Sequence, residues 1–393
     1  MMMPRRRLVA VLSACCFAVC LTTTLCLTKT ASGKEPLHVA PQLQPFVDDG
    51  VLAGAVTLVA TVDKELSLET VGYADLDAKQ PMRKDAMFWI ASMSKPITGA
   101  ALMMLVDEGK VKLDDPVEKY LPEFKGIMVV AERGSDRLVL EKPKRPVTVR
   151  NILNHCSGLA HFSPLETPTL DRWPLEARVR SYPLSPLMSE PDARYSYSNQ
   201  GINTAGRIVE VVSGRSFEEF LDERLFKPLG MNDTTFWPNE EQLTRLAKTY
   251  KLNDASKLES MPIAYLSYPL NDKSRGAMPG GGLFSTAHDV GLFGRMVLNQ
   301  GEFGGKRFLS PESVKEMTSR QTGDLPNSYG LGWAVDVAPG VGFGHGGAYA
   351  TNLRVDPSKG LVMVFMVQYA GKQTDIWKTV QPAFKQAAEK LGK

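Results

Sequence analysis

Apolar positions cluster near the two ends of this chain in patterns that predict β-strands. They form continuous or alternating runs of five to eight residues, as strands of a packed sheet do. The runs are 55–62, 66–73, 330–337, 342–346, 352–356 and 361–367. Asp63 and Lys64 separate the first two runs and predict a hairpin there.

Elsewhere apolar residues recur every three or four positions, which predicts α-helices. The predicted helices cover about 92–108, 149–154, 202–213, 217–225 and 374–391. Strand patterns are scarce from 109 to 275, where short helical segments alternate with proline-rich loops. This middle part therefore differs in character from both ends of the chain.

Strands at both ends with helices between them predict a mixed α/β (α+β) fold. We expect residues 34–108 and 276–393 to form an α/β sandwich domain, in which one antiparallel sheet is flanked by helices. Residues 109–275 are then a mostly helical inserted domain. A cleft between two such domains is the default place for a ligand, and loops 125–145 and 161–192 are expected to shape it.

Residues 1–33 have the pattern of a secretory signal peptide. Arg5-Arg6-Arg7 precedes the almost uncharged stretch 8–27, and Ala31-Ser32-Gly33 supplies small residues for cleavage. We therefore expect an exported protein, either periplasmic or secreted. Contact with a membrane is expected only if this leader is retained, or if Cys15 is lipidated as in a bacterial lipoprotein.

Charge and cysteine content narrow the function classes. Loss of the leader removes four bases and no acids, so 46 Lys and Arg against 43 Asp and Glu becomes 42 against 43. A nearly neutral chain without a basic stripe argues against a nucleic-acid partner. Cys156 alone remains outside the leader, and a buried thiol is favoured over a catalytic pair with His155, because adjacent side chains usually point apart. The oligomeric state stays open.

Ser92-Met93-Ser94-Lys95, at the start of the predicted helix 92–108, is the strongest chemical signal. Residues three apart lie on one face of a helix, so this spacing places an amine beside a hydroxyl. The positive end of a helix and burial both lower the pKa of a lysine, and a neutral Lys95 could then accept the proton of Ser92. The alternative is that Ser92 and Ser94 only cap a core helix.

No pattern indicates a metal or a cofactor. The five histidines lack the spacing of metal ligands, and no Gly-Lys-Ser/Thr follows Gly280-Gly281-Gly282 as a phosphate-binding loop requires. A Gly-x-Ser-x-Gly elbow is also missing from the sequence, which counts against the common α/β-hydrolase fold.

Two further motifs follow Ser92 and Lys95 along the chain. Tyr197-Ser198-Asn199 is the only Tyr-x-Asn, and His345-Gly346-Gly347 ends a predicted strand. In this order, Ser-x-x-Lys, Tyr-x-Asn and a basic-x-Gly triplet resemble the serine β-lactamase and penicillin-binding protein superfamily. The class C β-lactamases, the family VIII carboxylesterases and related D-aminopeptidases are the most similar groups.

This resemblance extends over nearly all of the chain beyond the leader. Segments similar to those proteins are 89–96, 113–117, 147–159, 228–231 and 281–287. Each segment alone is a modest signal, but their order together is specific.

The resemblance implies a mechanism. Ser92 would attack an acyl carbonyl and form an acyl-enzyme, with Lys95 and Tyr197 as the coupled base. Asn199 would hydrogen-bond Lys95 and the substrate side chain. The backbone N–H groups of Ser92 and Ala348 would form the oxyanion hole.

The third motif departs from the β-lactamase pattern. Class C β-lactamases have Lys-Thr-Gly where this chain has His345-Gly346-Gly347. Histidine is mostly neutral at pH 7, and Gly346 lacks a hydroxyl, so recognition of a substrate carboxylate should be weaker. We expect His345 and Gly347 to contact substrate; a purely structural His345 is the alternative.

These residues favour a secreted serine esterase that acts on small acyl esters without a cofactor. A D-aminopeptidase or β-lactamase-type amide hydrolase is the alternative within enzymes. A binding or sensor protein that is acylated once without turnover is the alternative from another class.

Overall fold

Antiparallel pairing of strands from the two ends of the chain forms the central sheet. The structure is a computed structural model that describes residues 38–392 except 339, 373 and 375. The predicted signal peptide 1–33 and the predicted lipidation site Cys15 lie outside the described residues.

The strands are mostly short. They are β1 (Gly54–Ala60), β2 (Glu65–Asp75), β3 (Gln80–Pro81), β4 (Phe88–Trp89), β5 (Val129–Arg133), β6 (Leu138–Glu141), β7 (Thr249–Leu252), β8 (Leu258–Met261), β9 (Phe284–Ser285), β10 (Glu302–Phe303), β11 (Lys306–Arg307), β12 (Ala334–Val335), β13 (Phe343–Gly346), β14 (Asn352–Asp356) and β15 (Leu361–Met366).

The α-helices are α1 (Ala40–Asp48), α2 (Ser94–Asp107), α3 (Val149–Leu153), α4 (Leu175–Ser181), α5 (Asn199–Ser213), α6 (Phe217–Leu221), α7 (Lys227–Leu229), α8 (Glu240–Thr244), α9 (Ala287–Leu298), α10 (Pro311–Thr318) and α11 (Gln381–Leu391). A 3₁₀ turn, Ala91–Met93, precedes α2, and a π-helical turn, Ile376–Val380, precedes α11. None of the helices in the described ranges is both long and apolar enough to cross a bilayer.

The main sheet has seven strands in the order β12-β13-β14-β15-β1-β2-β3, and all neighbours are antiparallel. The pairing of β1 with β15 joins the two ends of the chain, with Val56 opposite Met366 and Val59 opposite Met363. The predicted α+β fold with an antiparallel sheet from both chain ends is confirmed.

Both faces of this sheet are covered, which explains why β1 is apolar throughout. Val56 and Leu58 belong to the core shared with α2 and α9. Ala55 and Val59, on the opposite face, belong to the core shared with α1 and α11. A strand buried on both faces has an uninterrupted apolar run instead of an alternating one.

The predicted strand 330–337 is wrong over most of its length, because only Ala334–Val335 pairs in the sheet. The backbone N–H groups of Leu331 and Gly332 donate to Met317 O and Leu153 O at 2.9 and 3.0 Å. Gly332 has a φ of +81°, and a Cβ there would lie 2.6 Å from the carbonyl oxygen of Lys95. This segment therefore packs on helices, and its glycines permit that close approach.

Residues 109–275 contain α3 to α8, and also two hairpins, β5–β6 and β7–β8, that the sequence pattern did not predict. The strands β6 and β8 are largely exposed, so they lack the apolar alternation that marks a packed strand. The division of the chain into domains at 108 and 275 stays a prediction.

A buried ion pair ties together three segments of the middle region. Arg275 Nη2 lies 2.7 Å from Asp171 Oδ2, and the two side chains are only 4% and 2% exposed. The backbone N–H of Ser267 donates to the other carboxylate oxygen at 2.8 Å. Loss of the carboxylate would leave a buried guanidinium without its charged partner.

We therefore expect Asp171→Ala to lower the free energy of unfolding by about 3–5 kcal/mol, measured by urea denaturation. Glu132→Ala is the matched control, because Glu132 pairs with Arg137 at the surface, where both side chains are more than half exposed. That control should change stability by at most about 0.5 kcal/mol. Equal losses in the two variants would contradict this account of the Asp171 pair.

Candidate active site

The predicted nucleophile and base lie side by side at the start of α2. Ser92 is in the 3₁₀ turn Ala91–Met93, and Lys95 is in the first turn of the following α-helix. Lys95 Nζ lies 3.0 Å from Ser92 Oγ. Ala91, directly before the serine, has a φ of +47°, a strained conformation for a residue with a side chain.

Lys95 is completely buried, and this controls its charge. Its amine donates to the carbonyl oxygen of Gly280 at 2.5 Å, and no carboxylate of the described residues raises its pKa. Burial lowers the pKa of Lys95 well below 10.5. A neutral amine beside Ser92 Oγ is equipped to accept the hydroxyl proton.

Tyr197 lies against the same amine. The centroid of its ring is 4.8 Å from Lys95 Nζ. Burial raises the pKa of Tyr197, and a hydrogen bond with Ser92 only partly offsets this. The phenol therefore stays protonated near neutral pH, so Tyr197 can relay a proton while Lys95 is the better initial base.

Asn199 is the first residue of α5, and the cap of that helix is the hydroxyl of Ser198, which accepts from Gly201 N at 3.0 Å. Asn199 is 5% exposed, and its Oδ1 has no hydrogen-bond partner in the described structure. The expected contact of its side chain with Lys95 is replaced by the contact of Lys95 with Gly280 O. Substrate binding by Asn199 stays a prediction.

Gly347 has a structural reason to be glycine. A Cβ at this position would lie 2.0 Å from Thr351 Oγ1 and 2.6 Å from the carbonyl oxygen of Ile90. The end of β13 therefore packs directly against the segment that leads into Ser92. Ala348 lines the same cleft as Ser92, and the oxyanion hole formed by their N–H groups stays a prediction.

His345 is buried, and both of its ring nitrogens have partners. Nδ1 lies 2.7 Å from the carbonyl oxygen of Gly346, so we assign the proton to Nδ1. Nε2 then accepts from the hydroxyl of Tyr329 at 2.9 Å. Burial lowers the pKa of His345 to about 3. This geometry favours a purely structural role for His345. Contact of His345 with substrate stays a prediction.

Three residues near the site escaped the sequence analysis. The carbonyl of Gly280 binds Lys95, whereas the sequence suggests for its glycine triplet only a comparison with phosphate-binding loops. No motif or spacing in the sequence indicates a role for Tyr329. His155 packs its ring 4.4 Å from that of Tyr197 and 4.6 Å from that of Tyr329, contacts that no spacing in the sequence indicates.

Cys156 itself is a buried free thiol, as expected. Burial raises its pKa to about 12, so it is not a thiolate nucleophile. In the described ranges, no three His, Cys, Asp or Glu side chains come together as ligands for a metal ion.

A cleft of about 250 Å³ opens above Ser92. Loop 161–192 contributes to it as expected, whereas no residue of 125–145 is among its lining residues. The lining consists of Trp89, Ala91, Ser92, His161, Phe162, Leu170, Tyr197, Asn199, Tyr265, Met278, Gly280, Gly281 and Ala348. None of these is Lys, Arg, Asp or Glu, and burial lowers the pKa of His161, so the described wall is uncharged near neutral pH.

Comparisons with known proteins agree with this site. The sequence matches the Beta-lactamase family over residues 39–378. It is 33% identical over 360 residues to Protein Rv1367c of Mycobacterium tuberculosis, covering 83% of this chain and 88% of that protein. It is 30% identical over 300 residues to lovastatin esterase of Penicillium rubens, covering 71% of this chain and 72% of that protein.

The solved structure of EstCE1, described as a hydrolase with promiscuous acyltransferase activity, has the same fold. It superposes with a TM-score of 0.74 at 23% identity, covering 89% of this chain and 97% of that one. The chain belongs to the β-lactamase family and is a serine hydrolase of that family.

The lowered pKa of Lys95 predicts how activity depends on pH. Only the unprotonated amine accepts a proton, so kcat/KM should rise as the pH increases through this lowered pKa. It should reach its plateau well below the ordinary lysine value of 10.5. The measurement is the pH profile of the rate at which a fluorophosphonate labels Ser92.

Lys95→Arg is the informative variant, because a guanidinium stays protonated at every accessible pH. We expect its labelling rate to fall by about 10²–10⁴-fold, the usual contribution of a general base. A Lys95→Arg variant that keeps the wild-type rate would exclude Lys95 as the base.

Proposed function

We propose that this protein is an exported serine esterase that hydrolyses small, uncharged acyl esters through an acyl-Ser92 intermediate. The observation that carries the proposal is the uncharged wall of the cleft. Substrates of β-lactamases and carboxypeptidases carry a carboxylate near the scissile bond, and a carboxylate needs a cation or several donors to replace its hydration.

The neutral state of His345 supports the same conclusion. It occupies the position where class C β-lactamases have lysine, yet burial lowers its pKa to about 3, and its nitrogens are engaged by Tyr329 and Gly346. An imidazole held in this way offers no positive charge to a carboxylate. The similar protein from Penicillium rubens is named an esterase.

The reaction follows from the described contacts. Ser92 Oγ attacks the ester carbonyl while its proton passes to Lys95 Nζ, 3.0 Å away. The resulting tetrahedral anion collapses, and the leaving alcohol takes a proton from the Lys95 ammonium, with the protonated Tyr197 as relay. Attack by water on the acyl-Ser92 ester, with Lys95 again as base, then releases the acid.

Export is part of this proposal, and its support is the signal-like composition of residues 1–33.

An amide hydrolase is the second candidate, and Asn199 is the observation in its favour. Asn199 lines the cleft, and its buried Oδ1 lacks a partner in the described structure. An amide N–H of a substrate would satisfy that oxygen, since a buried acceptor left without a donor is costly. A D-amino acid amide has no carboxylate, so it would also fit a cleft that disfavours carboxylates.

A fluorophosphonate and a substrate panel distinguish these functions. Intact-mass spectrometry should show one label on the wild type and none on Ser92→Ala. We then expect kcat/KM for p-nitrophenyl butyrate to exceed the values for nitrocefin and D-alanine amide by at least about 10²-fold, since an uncompensated buried charge or polar group costs about 3 kcal/mol. Faster turnover of nitrocefin would overturn the esterase assignment, and label without any turnover would favour a sensor.

The aromatic wall of the cleft predicts the apolar part of the substrate. Tyr265 lines the cleft, is 44% exposed, and lies with its ring centroid 6.0 Å from that of Trp89. Removing the ring deletes apolar surface that would cover a bound ester, and this weakens the binding free energy of the ester by roughly 1–1.5 kcal/mol. Tyr265→Ser should therefore raise KM for p-nitrophenyl butyrate by about tenfold with little change in kcat.

Tyr73→Ser is the control for this variant, because Tyr73 is similarly exposed at 37% but lies on β2, away from the cleft. Its kinetics should match those of the wild type. An unchanged KM in Tyr265→Ser would show that the ring makes no contact with the ester.

A further inference from the structure

The segment 277–281, which we call the glycine loop, crosses over the amine of Lys95 and is fixed by buried side chains from other elements. Thr98, one turn beyond Lys95 on α2, donates to Pro279 O at 2.8 Å. Trp89 Nε1 donates to Gly281 O at 2.7 Å. The Arg178 guanidinium donates to Ala277 O. The loop therefore has little freedom around the carbonyl that binds the base.

Asn203, on α5, contacts the peptide at the centre of this loop. Its Oδ1 accepts from the N–H of Gly280 at 2.9 Å, and the carbonyl oxygen of the same residue accepts from Lys95 Nζ at 2.5 Å. One glycine thus connects the side chain of Asn203 to the catalytic amine. Asn203 is fully buried and does not line the cleft, so it cannot touch substrate itself.

The orientation of the Asn203 amide is determined by its other end. Its Nδ2 donates to Glu166 Oε1 at 2.9 Å and to the hydroxyl of Tyr182 at 3.0 Å. A carboxylate only accepts, so an inverted amide would place oxygen against oxygen.

Glu166 is itself held in place. It is 3% exposed and accepts from the backbone N–H of Ser163 and from the hydroxyl of Tyr182, each at 2.8 Å. Its Oε1 lies 3.7 Å from Arg178 Nη1. The amide of Asn203, the hydroxyl of Tyr182 and the backbone N–H of Ser163 thus each meet an acceptor. Hydrogen bonds in a buried network of this kind hold its members in place.

We propose that Asn203 is a positioning residue for the base: it holds the N–H of Gly280, so that the carbonyl of the same residue takes one N–H of Lys95 and leaves the amine lone pair directed at Ser92. A neutral amine has two N–H groups and one lone pair, so binding one N–H restricts where the lone pair points. This role rests on the proposed function, in which Lys95 accepts the proton of Ser92. Glu166 and Tyr182 act one step further away, by orienting Asn203.

Loss of the Asn203 amide should change the chemistry of Lys95 as well as the fold. The N–H of Gly280 would be buried without a partner, and the loop would shift or admit water to satisfy it. Water near the amine favours its charged form. The acid limb of the pH–rate profile should then move to higher pH, with a loss of rate that is larger at pH 6 than at pH 9.

The test compares Asn203→Ala with Thr204→Val. Thr204 neighbours Asn203 on α5 and is equally buried. Its substitution by valine removes only the hydrogen bond from its hydroxyl to Gln200 O within the helix. We expect Asn203→Ala to move the acid limb by about one pH unit to higher pH, so that on this limb it labels with a fluorophosphonate about tenfold more slowly than the wild type. Thr204→Val should keep the wild-type profile even if its melting temperature falls.

Tyr182→Phe provides a second, milder variant, because it keeps the ring and removes only the hydroxyl that meets Glu166 and Asn203. It should shift the profile in the same direction by a smaller amount. Wild-type profiles in both Asn203→Ala and Tyr182→Phe, measured on folded protein, would overturn the positioning role while leaving the esterase intact. An unlabelled wild-type Ser92 would overturn the proposed function first, and this role with it.

Discussion

Desolvation of the Lys95 amine is the physical constraint on which the site depends. A charged ammonium without a carboxylate partner would cost several kcal/mol in this interior, so the amine is held neutral and becomes a base. Its environment is consistent with that state, because its contacts are a hydroxyl oxygen and a carbonyl oxygen. The same burial that makes Lys95 unfavourable for stability makes it useful for removing a proton from Ser92.

Close approach of backbone segments keeps water away from this amine. A Cβ at Gly99 would lie 2.5 Å from Leu331 O, and one at Gly332 would lie 2.6 Å from Lys95 O. These two glycines bring the segment after α10 against α2. Gly347 brings the end of β13 against Ile90 in the same manner. The burial of the base is thus a property of the packed backbone, and a side chain at any of the three positions would separate the segments.

The parts of the site that depend on local spacing were predictable from the sequence. Ser92 and Lys95 are three residues apart at the start of a helix, so their contact follows from helix geometry. The resemblance placed Tyr197 near them because the order of motifs, not any local pattern, identifies the family. The partner of Lys95 was not predictable, since a backbone carbonyl such as that of Gly280 leaves no mark on residue type.

In the fold, too, features that depend on local sequence were predictable and features that depend on tertiary contacts were not. β1 and β15 were predictable because burial on both faces gives continuous apolar runs. The run 330–337 has a similar composition but packs on α2 and α3, and apolar composition alone does not distinguish a sheet from a helix as the partner. Tyr329, directly before that segment, pairs with His345. The neutral, occupied state of His345 therefore depends on tertiary structure.

Neutrality of the resting site has a consequence for selectivity. Lys95 and His345 have lowered pKa values and Tyr197 has a raised one, so burial favours the uncharged form of all three. Negative charge then appears in the cleft only when Ser92 Oγ attacks, and it is generated together with the Lys95 ammonium that lies 3.0 Å from that oxygen. With an uncharged ester, the attraction between this negative charge and the ammonium exists only in the transition state. The attraction therefore accelerates the reaction without strengthening substrate binding. A substrate carboxylate would instead lose its hydration on binding, before any compensating charge exists. In the proposed esterase, burial of the base therefore favours uncharged substrates by the same electrostatics that activate the nucleophile.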